Sequence, residues 1–246
     1  MKEIAIELNN VSVSYIHNRR GIYSIKDFFL KGGLFSPFEY KPVLSDINLT
    51  IYKGESLGIL GRNGEGKSTL LRTIAGIITP TNGTCKVHVE ISPLLALGAG
   101  IELELTGIEN IKIYTALSGN YKKETIKSII DQVANFSELS IEQLRMPTKM
   151  YSTGMLARLA FSSVVTSQPD LMMIDEVMAV GDKGFQEKCK KRIFEIKQAG
   201  ATILFVSHNP SEILEVCERG ICIEHGKINC DGTSEEAVKT YLNLFN

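Results

Sequence analysis

The residues Gly61-Arg62-Asn63-Gly64-Glu65-Gly66-Lys67-Ser68 carry the densest chemical signal in the chain. They satisfy the pattern G-x-x-x-x-G-K-S. The glycines let the backbone take positive φ angles and turn its N–H groups toward an anion. A helix that begins where the loop ends points its positive pole at the same place. Lys67 adds a mobile ammonium suited to the β and γ phosphates of a nucleoside triphosphate, and the Ser68 hydroxyl suits Mg²⁺. Gly61 to Ser68, with Thr69 beside them, are therefore the expected binding residues for ATP. Glu65 sets a carboxylate in a loop built for anions. Turned outward it is harmless; turned inward it weakens nucleotide binding.

Two more groups follow apolar runs. Leu171-Met172-Met173-Ile174 ends in Asp175 and Glu176. Successive side chains at a strand end point different ways, so the two acids can divide the work. Asp175 is expected to hold Mg²⁺ through water, and Glu176 to polarise the attacking water as general base. His208 closes the run Ile203–Ser207. In open α/β sheets, ligands bind outside the carboxyl ends of the strands. Gly61, Asp175, Glu176 and His208 all lie at such ends, which gives His208 access to the γ-phosphate. A solvated acid pair and a capping or core histidine are the plainer alternatives.

These residues need a sheet to hold them. Val43–Ile51 and Ser56–Leu60 read as strands, Gly66–Gly76 as a helix and Gly83–Val89 as another strand. Ile4–Leu8 and Val11–Ser14 read as two short strands flanking a turn at Asn9-Asn10. Ile22, Ile25, Phe28 and Phe29 share one helical face. Gly107–Leu117, Lys122–Phe136 and Gly154–Ser167 form a helical block. Leu171–Ile174 and Thr202–Val206 suit parallel strands buried on both faces. Lys188–Gln198, Ser211–Cys217 and Glu235–Leu244 read as helices, and Ile221–Glu224 with Lys227–Cys230 as a hairpin around His225-Gly226. The fold class is α/β, with a mixed sheet, antiparallel N-terminal strands and an inserted helical subdomain. Residues 1–97 and 168–246 form the core, 98–167 the helical subdomain and 16–42 a basic, aromatic insertion.

Bulk properties narrow the classes. Lys and Arg total 27 against 28 Asp and Glu, and the net charge of -1 argues against nucleic acid held by bulk charge. The 5 cysteines are odd in number and lack a C-x-x-C pair, so neither a disulfide framework nor a zinc site is expected. They read as small reduced core residues. No signal-peptide core or membrane-length apolar run is seen, so a cytosolic protein is expected, reaching membrane only through a surface or partner.

In this order the motifs resemble those of an ATP-binding cassette, the motor domain of ABC transporters, over nearly the whole chain. Tyr151-Ser152-Thr153-Gly154-Met155 resembles the family signature. The resemblance implies two copies facing head to tail, with Ser152 and Gly154 contacting ATP held by the other copy. It puts Ala179-Val180-Gly181-Asp182 in the loop linking the two sites. Tyr15 matches the aromatic that stacks on adenine, with a surface tyrosine as the alternative. The family's glutamine falls near Ala96, which cannot bind metal; Glu102 is a substitute candidate.

The signature wording, Val177-Met178 after the acids and Leu97-Gly98-Ala99-Gly100 resemble cassettes of bacterial polysaccharide exporters for O-antigen, capsule or teichoic acid. That implies an integral membrane permease partner, a lipid-linked polysaccharide cargo and a place on the cytoplasmic face of the bacterial cytoplasmic membrane. Some members add a C-terminal carbohydrate-binding domain; none is expected after the helix Glu235–Leu244, and export without a terminal-cap reader is the mode the resemblance implies. The 16–42 insertion would touch the permease or an anionic head group, or be an ordinary surface insertion. A soluble cassette ATPase of DNA repair or translation and a low-turnover regulatory subunit are the alternative functions.

Overall fold

The structure, a computed structural model, describes residues 2–18, 38–91, 101–117, 123–166, 169–175 and 182–245. Its centre is a sheet ordered β5-β6-β3-β7-β8, built from β3 (Ser56–Leu60), β5 (Leu171–Asp175), β6 (Thr202–Val206), β7 (Arg219–Glu224) and β8 (Lys227–Thr233). β5, β6, β3 and β7 run parallel, and β8 closes the edge antiparallel to β7. Every residue of β3 and β6 is buried. Their unbroken apolar sequences fit because helices and a second sheet cover both faces.

The second sheet, ordered β2-β1-β4, is antiparallel and comprises β1 (Ile4–Asn18), β2 (Phe38–Tyr52) and β4 (Asn82–Val87). Between the sheets and α1 (Lys67–Ile74) lies one apolar core, including Ile6, Leu8, Ile47, Ile51, Leu57 and Ile59. Burying each such side chain contributes about 1.5–3 kcal/mol. On the far side of the central sheet, α6 (Lys183–Gln198), α7 (Pro210–Val216) and α8 (Ser234–Phe245) pack on Met172, Ile203 and Phe205. Gly58 permits that approach, since a Cβ there would stand 2.6 Å from Ile213 Cγ2.

The helical block contains α2 (Gly107–Leu117), α3 (Lys123–Ser137), the short α4 (Ile141–Leu144) and α5 (Thr153–Thr166). Ile111, Val133, Leu139, Leu144, Tyr151 and Leu159 give it an apolar cluster of its own.

Three expectations change. Asn9-Asn10 makes no turn: β1 runs through it as one strand with a shift in pairing register, and Asn10 takes φ 49°. The Asn48 side chain, across the sheet, accepts from the Asn10 N–H at 2.9 Å and holds that irregularity. β2 begins at Phe38 rather than Val43 because β1 continues to Asn18 and pairs with it. α6 begins at Lys183 rather than Lys188, because Asp182 caps it. The helix expected around Ile22–Phe29 lies outside the described residues. All five cysteines are free, and burial pushes the Cys189 and Cys217 thiols up to about 12, the inert behaviour of core residues.

Candidate nucleotide-binding site

β3 delivers the chain to the loop. Gly61, Gly64 and Gly66 take φ 154°, 90° and 105°. Two of them are crowded: a Cβ at Gly61 would stand 2.6 Å from the Ile223 carbonyl oxygen, and one at Gly66 would stand 2.7 Å from Leu44 Cδ2 and 2.9 Å from the Val43 carbonyl oxygen. β2 thus lies against the loop at a distance only glycine permits, with a backbone angle only glycine adopts freely. Gly66 also caps α1, whose first residues are Lys67 and Ser68.

Lys67 is 6% exposed and curls back into its own loop. Its Nζ donates to the Gly61 carbonyl at 2.7 Å and the Arg62 carbonyl at 3.1 Å. Ser68 Oγ donates to Asp175 Oδ2 at 3.0 Å, joining the first turn of α1 to the end of β5. Hydroxyl and carboxylate are hard oxygen donors, the set Mg²⁺ prefers, so these two residues fit that ion. Beside them opens a cavity of about 610 Å³ walled by Val43, Asn63, Gly64, Gly66, Lys67, Ser68, Thr69 and Asp175. Tyr15 is 42% exposed, with its hydroxyl 3.4 Å from Oγ1 of Thr69 in that wall.

Glu65 takes neither orientation expected for it. Its carboxylate accepts from the backbone N–H of His225 and is only 15% exposed, with Nδ1 of His225 3.7 Å away. It fastens the loop to the β7–β8 turn and does not wall the phosphate cavity.

His208 is exposed and borders a neighbouring cavity of about 660 Å³ with Arg62, Asn63 and Glu65. The turn after β6 explains this placement. Ser207 is buried and donates to Glu212 at 2.7 Å, and Asn209 caps α7 through Ser211 N–H at 3.1 Å. His208 between them is left at the apex. Asn63 borders both cavities.

Ser152 and Gly154 stand apart from the loop, at the start of α5. Ser152 is exposed and accepts from the Met155 N–H at 3.2 Å. Neither belongs to the wall of the phosphate cavity. Tyr151 is anchored instead: 7% exposed, it donates to the Gln143 carbonyl at 2.6 Å. Glu102 is exposed, and its main chain is bonded on both sides to the Asn110 side chain, at 2.7 and 3.0 Å. Glu176, Ala96 and Ala179–Gly181 lie outside the described residues.

Sequence reasoning missed Val43 and His225, whose approach to the loop is decided by chain segments far away. It also missed Arg158, signalled only as a cation one turn beyond Gly154 on α5, which donates to Glu138 at 2.7 Å and to Asp182 at 2.6 Å.

A model of the family described as ABC transporter matches residues 44–179. The O-antigen export system ATP-binding protein RfbB of Klebsiella pneumoniae is 44% identical over 198 residues, covering 80% of this chain and 80% of that protein. The teichoic acids export ATP-binding protein TagH of Staphylococcus haemolyticus is 40% identical over 238 residues, covering 97% of this chain and 88% of the relative. Among solved structures, a dimeric ATP-binding cassette in a post-hydrolysis state with ADP and Pi superposes with TM-score 0.72. That match covers 93% of this chain and 98% of the other at 20% identity, a likeness of fold. With a family match across the loop and both acids, and relatives of this identity along most of its length, the chain belongs to the ABC transporter family.

Proposed function

We propose that the chain is the ATP-hydrolysing subunit of a transporter that exports a lipid-linked cell-surface polysaccharide. The observation that carries the catalytic half is the convergence of Lys67, Ser68 and Asp175 on one cavity, with Glu176 next in sequence. The export half is supported by the names of the relatives, which are O-antigen and teichoic acid export proteins.

In this reading Lys67 exchanges its bonds to loop carbonyls for bonds to the β and γ phosphates. The loop N–H groups and the N-terminus of α1 add further positive potential. Ser68 and Asp175 would hold Mg²⁺, whose contribution is to neutralise charge on the phosphate oxygens. Tyr15 would stack on adenine. Glu176 takes the proton of the attacking water, and His208 is assigned to the γ-phosphate. Ser152 and Gly154 of a second copy, at the positive end of α5, would close the site from the other side.

Among the described residues, no helix is long and apolar enough to cross a membrane. We place the chain on the cytoplasmic membrane face, held by permease subunits. Because Glu65 turns away from the phosphate cavity, one motive for a low-turnover regulatory role disappears.

Steady-state ATPase assays test the catalytic half: Glu176→Gln should abolish turnover while retaining ATP, and equal rates would reject it. Purification from membranes tests the export half: the chain should bring down an integral membrane permease. Recovery with ribosomes or DNA repair proteins would favour the soluble reading.

A further inference from the structure

Glu65 is a loop residue that phosphate binding does not call for, and its side chain is bonded outside the loop. The carboxylate accepts from the backbone N–H of His225 at the β7–β8 turn, and Nδ1 of His225 lies 3.7 Å away. Strand order brings the two together. β7 runs parallel to β3 with Cys222 opposite Leu60, so β7 continues toward its turn where β3 gives way to the loop. Gly61 already lies against β7, at the Ile223 carbonyl. The turn is itself held, because the Gly226 carbonyl accepts from the Ser45 N–H of β2 at 2.9 Å.

Inside the loop the fastenings are of another kind. Lys67 Nζ donates to the carbonyls of Gly61 and Arg62, and the Glu65 N–H donates to the Arg62 carbonyl at 3.3 Å. In the proposed reading Lys67 gives up both of its bonds when a triphosphate arrives. The Glu65 carboxylate keeps its own. Its partner His225 borders the neighbouring cavity and not the one beside Lys67.

Gly64 and Gly66 flank Glu65 with φ 90° and 105°. Glycine loses more conformational freedom on ordering than any other residue, so a loop this rich in it is entropically costly to order. A bond already made on folding removes that cost from the binding step. The same bond turns the charge of Glu65 toward the hairpin. The side chain is 15% exposed and stands outside the wall of the phosphate cavity.

We propose that Glu65 is a positioning residue for nucleotide binding: its tether to the hairpin turn keeps the phosphate loop in shape once Lys67 has turned to the nucleotide. This rests on the reading of the loop as an ATP site. The acceptor oxygen carries the role, and the negative charge is kept aside by it.

The experiment titrates the full chain with a non-hydrolysable ATP analogue and follows backbone amide exchange at His225. Glu65→Ala should raise Kd about tenfold, the scale of one lost charge-assisted hydrogen bond. Glu65→Gln removes the charge and keeps an acceptor, so its Kd should stay within about threefold of native. In turnover the alanine loss should fall on KM, with kcat changed far less. A contact that only stabilises the fold would lower the unfolding temperature of Glu65→Ala and leave Kd alone. The His225 amide should exchange slowly with and without the analogue, and quickly in Glu65→Ala. Native affinity in Glu65→Ala, a Gln variant as weak as the Ala variant, or fast exchange at His225 in the bound native chain would each overturn the proposal. Should Glu65→Ala fail to fold, exchange at His225 in the native chain carries the test. A native chain that binds no analogue sinks the proposed function and this inference together; a native chain and Glu65→Ala that bind equally well sink the inference alone.

Discussion

The phosphate loop and the signature turn are assigned to opposite sides of one triphosphate, yet the fold holds them in opposite ways. The loop is wedged between β2 and the central sheet, and its lysine is buried and bonded to its own carbonyls. The signature turn is bare: Ser152 is exposed and its hydroxyl makes one local bond within its own helix. One half of the site is assembled within a single chain. The other is exposed, and in the proposed reading a second copy meets it. Affinity should therefore reside in the loop, and turnover in the meeting of the two.

The sharpest way to break this contrast is Lys67→Met. Losing a buried, hydrogen-bonded charge costs about 2–5 kcal/mol, so nucleotide affinity should fall roughly 30-fold or more by fluorescence titration. Retained affinity would end the account. Gly66→Ala comes next. A positive φ and a close contact with Leu44 should together cost about 1–3 kcal/mol, read as a lower unfolding temperature. Ser152→Ala should leave the nucleotide affinity of the isolated chain intact and still suppress turnover, while costing about 1 kcal/mol of helix capping. An equal fall in affinity would erase the distinction between the two halves. Glu65→Gln should be the mildest, since an amide oxygen still accepts from His225; a change within about 0.5 kcal/mol in denaturant unfolding is expected.

Acid sharpens the comparison from the signature side. The Phe185 N–H, with Arg158, holds the Asp182 carboxyl below its usual value, and Arg158 with Lys188 does the same for Glu138. Carboxyls lowered on folding stabilise the protein above their ordinary range, and this is lost as pH falls through the lowered values. The unfolding temperatures of the native chain and Arg158→Gln should thus differ near neutrality and converge in acid below the usual carboxylate range. A gap independent of pH would detach the carboxylates from Arg158.

Much of this was legible where cause and effect lie close in sequence. The loop needs glycine and lysine at fixed spacing, and buried parallel strands need unbroken apolar runs; both read directly. The β7–β8 hairpin was visible in His225-Gly226. What escaped was decided across the fold. Asn9-Asn10 has turn chemistry, but Asn48 from β2 holds it as an irregular strand. Glu65 looked misplaced in an anion loop because its partner, His225, stands across the fold. Arg158 carried no local sign of its two carboxylates, one from the connection between α3 and α4 and the other from the N-cap of α6.

The β7–β8 hairpin has a further importance. Its tip receives the Glu65 carboxylate on one side, and the Gly226 carbonyl accepts from the Ser45 N–H at 2.9 Å on the other. Gly226 also sits so close to Val43 and Leu44 that no side chain could be added there. Floor and wall of the cavity beside Lys67 thus share one buttress that is no part of its lining. Sequence drift at two turn residues can retune the cavity from behind, without altering any residue of its wall.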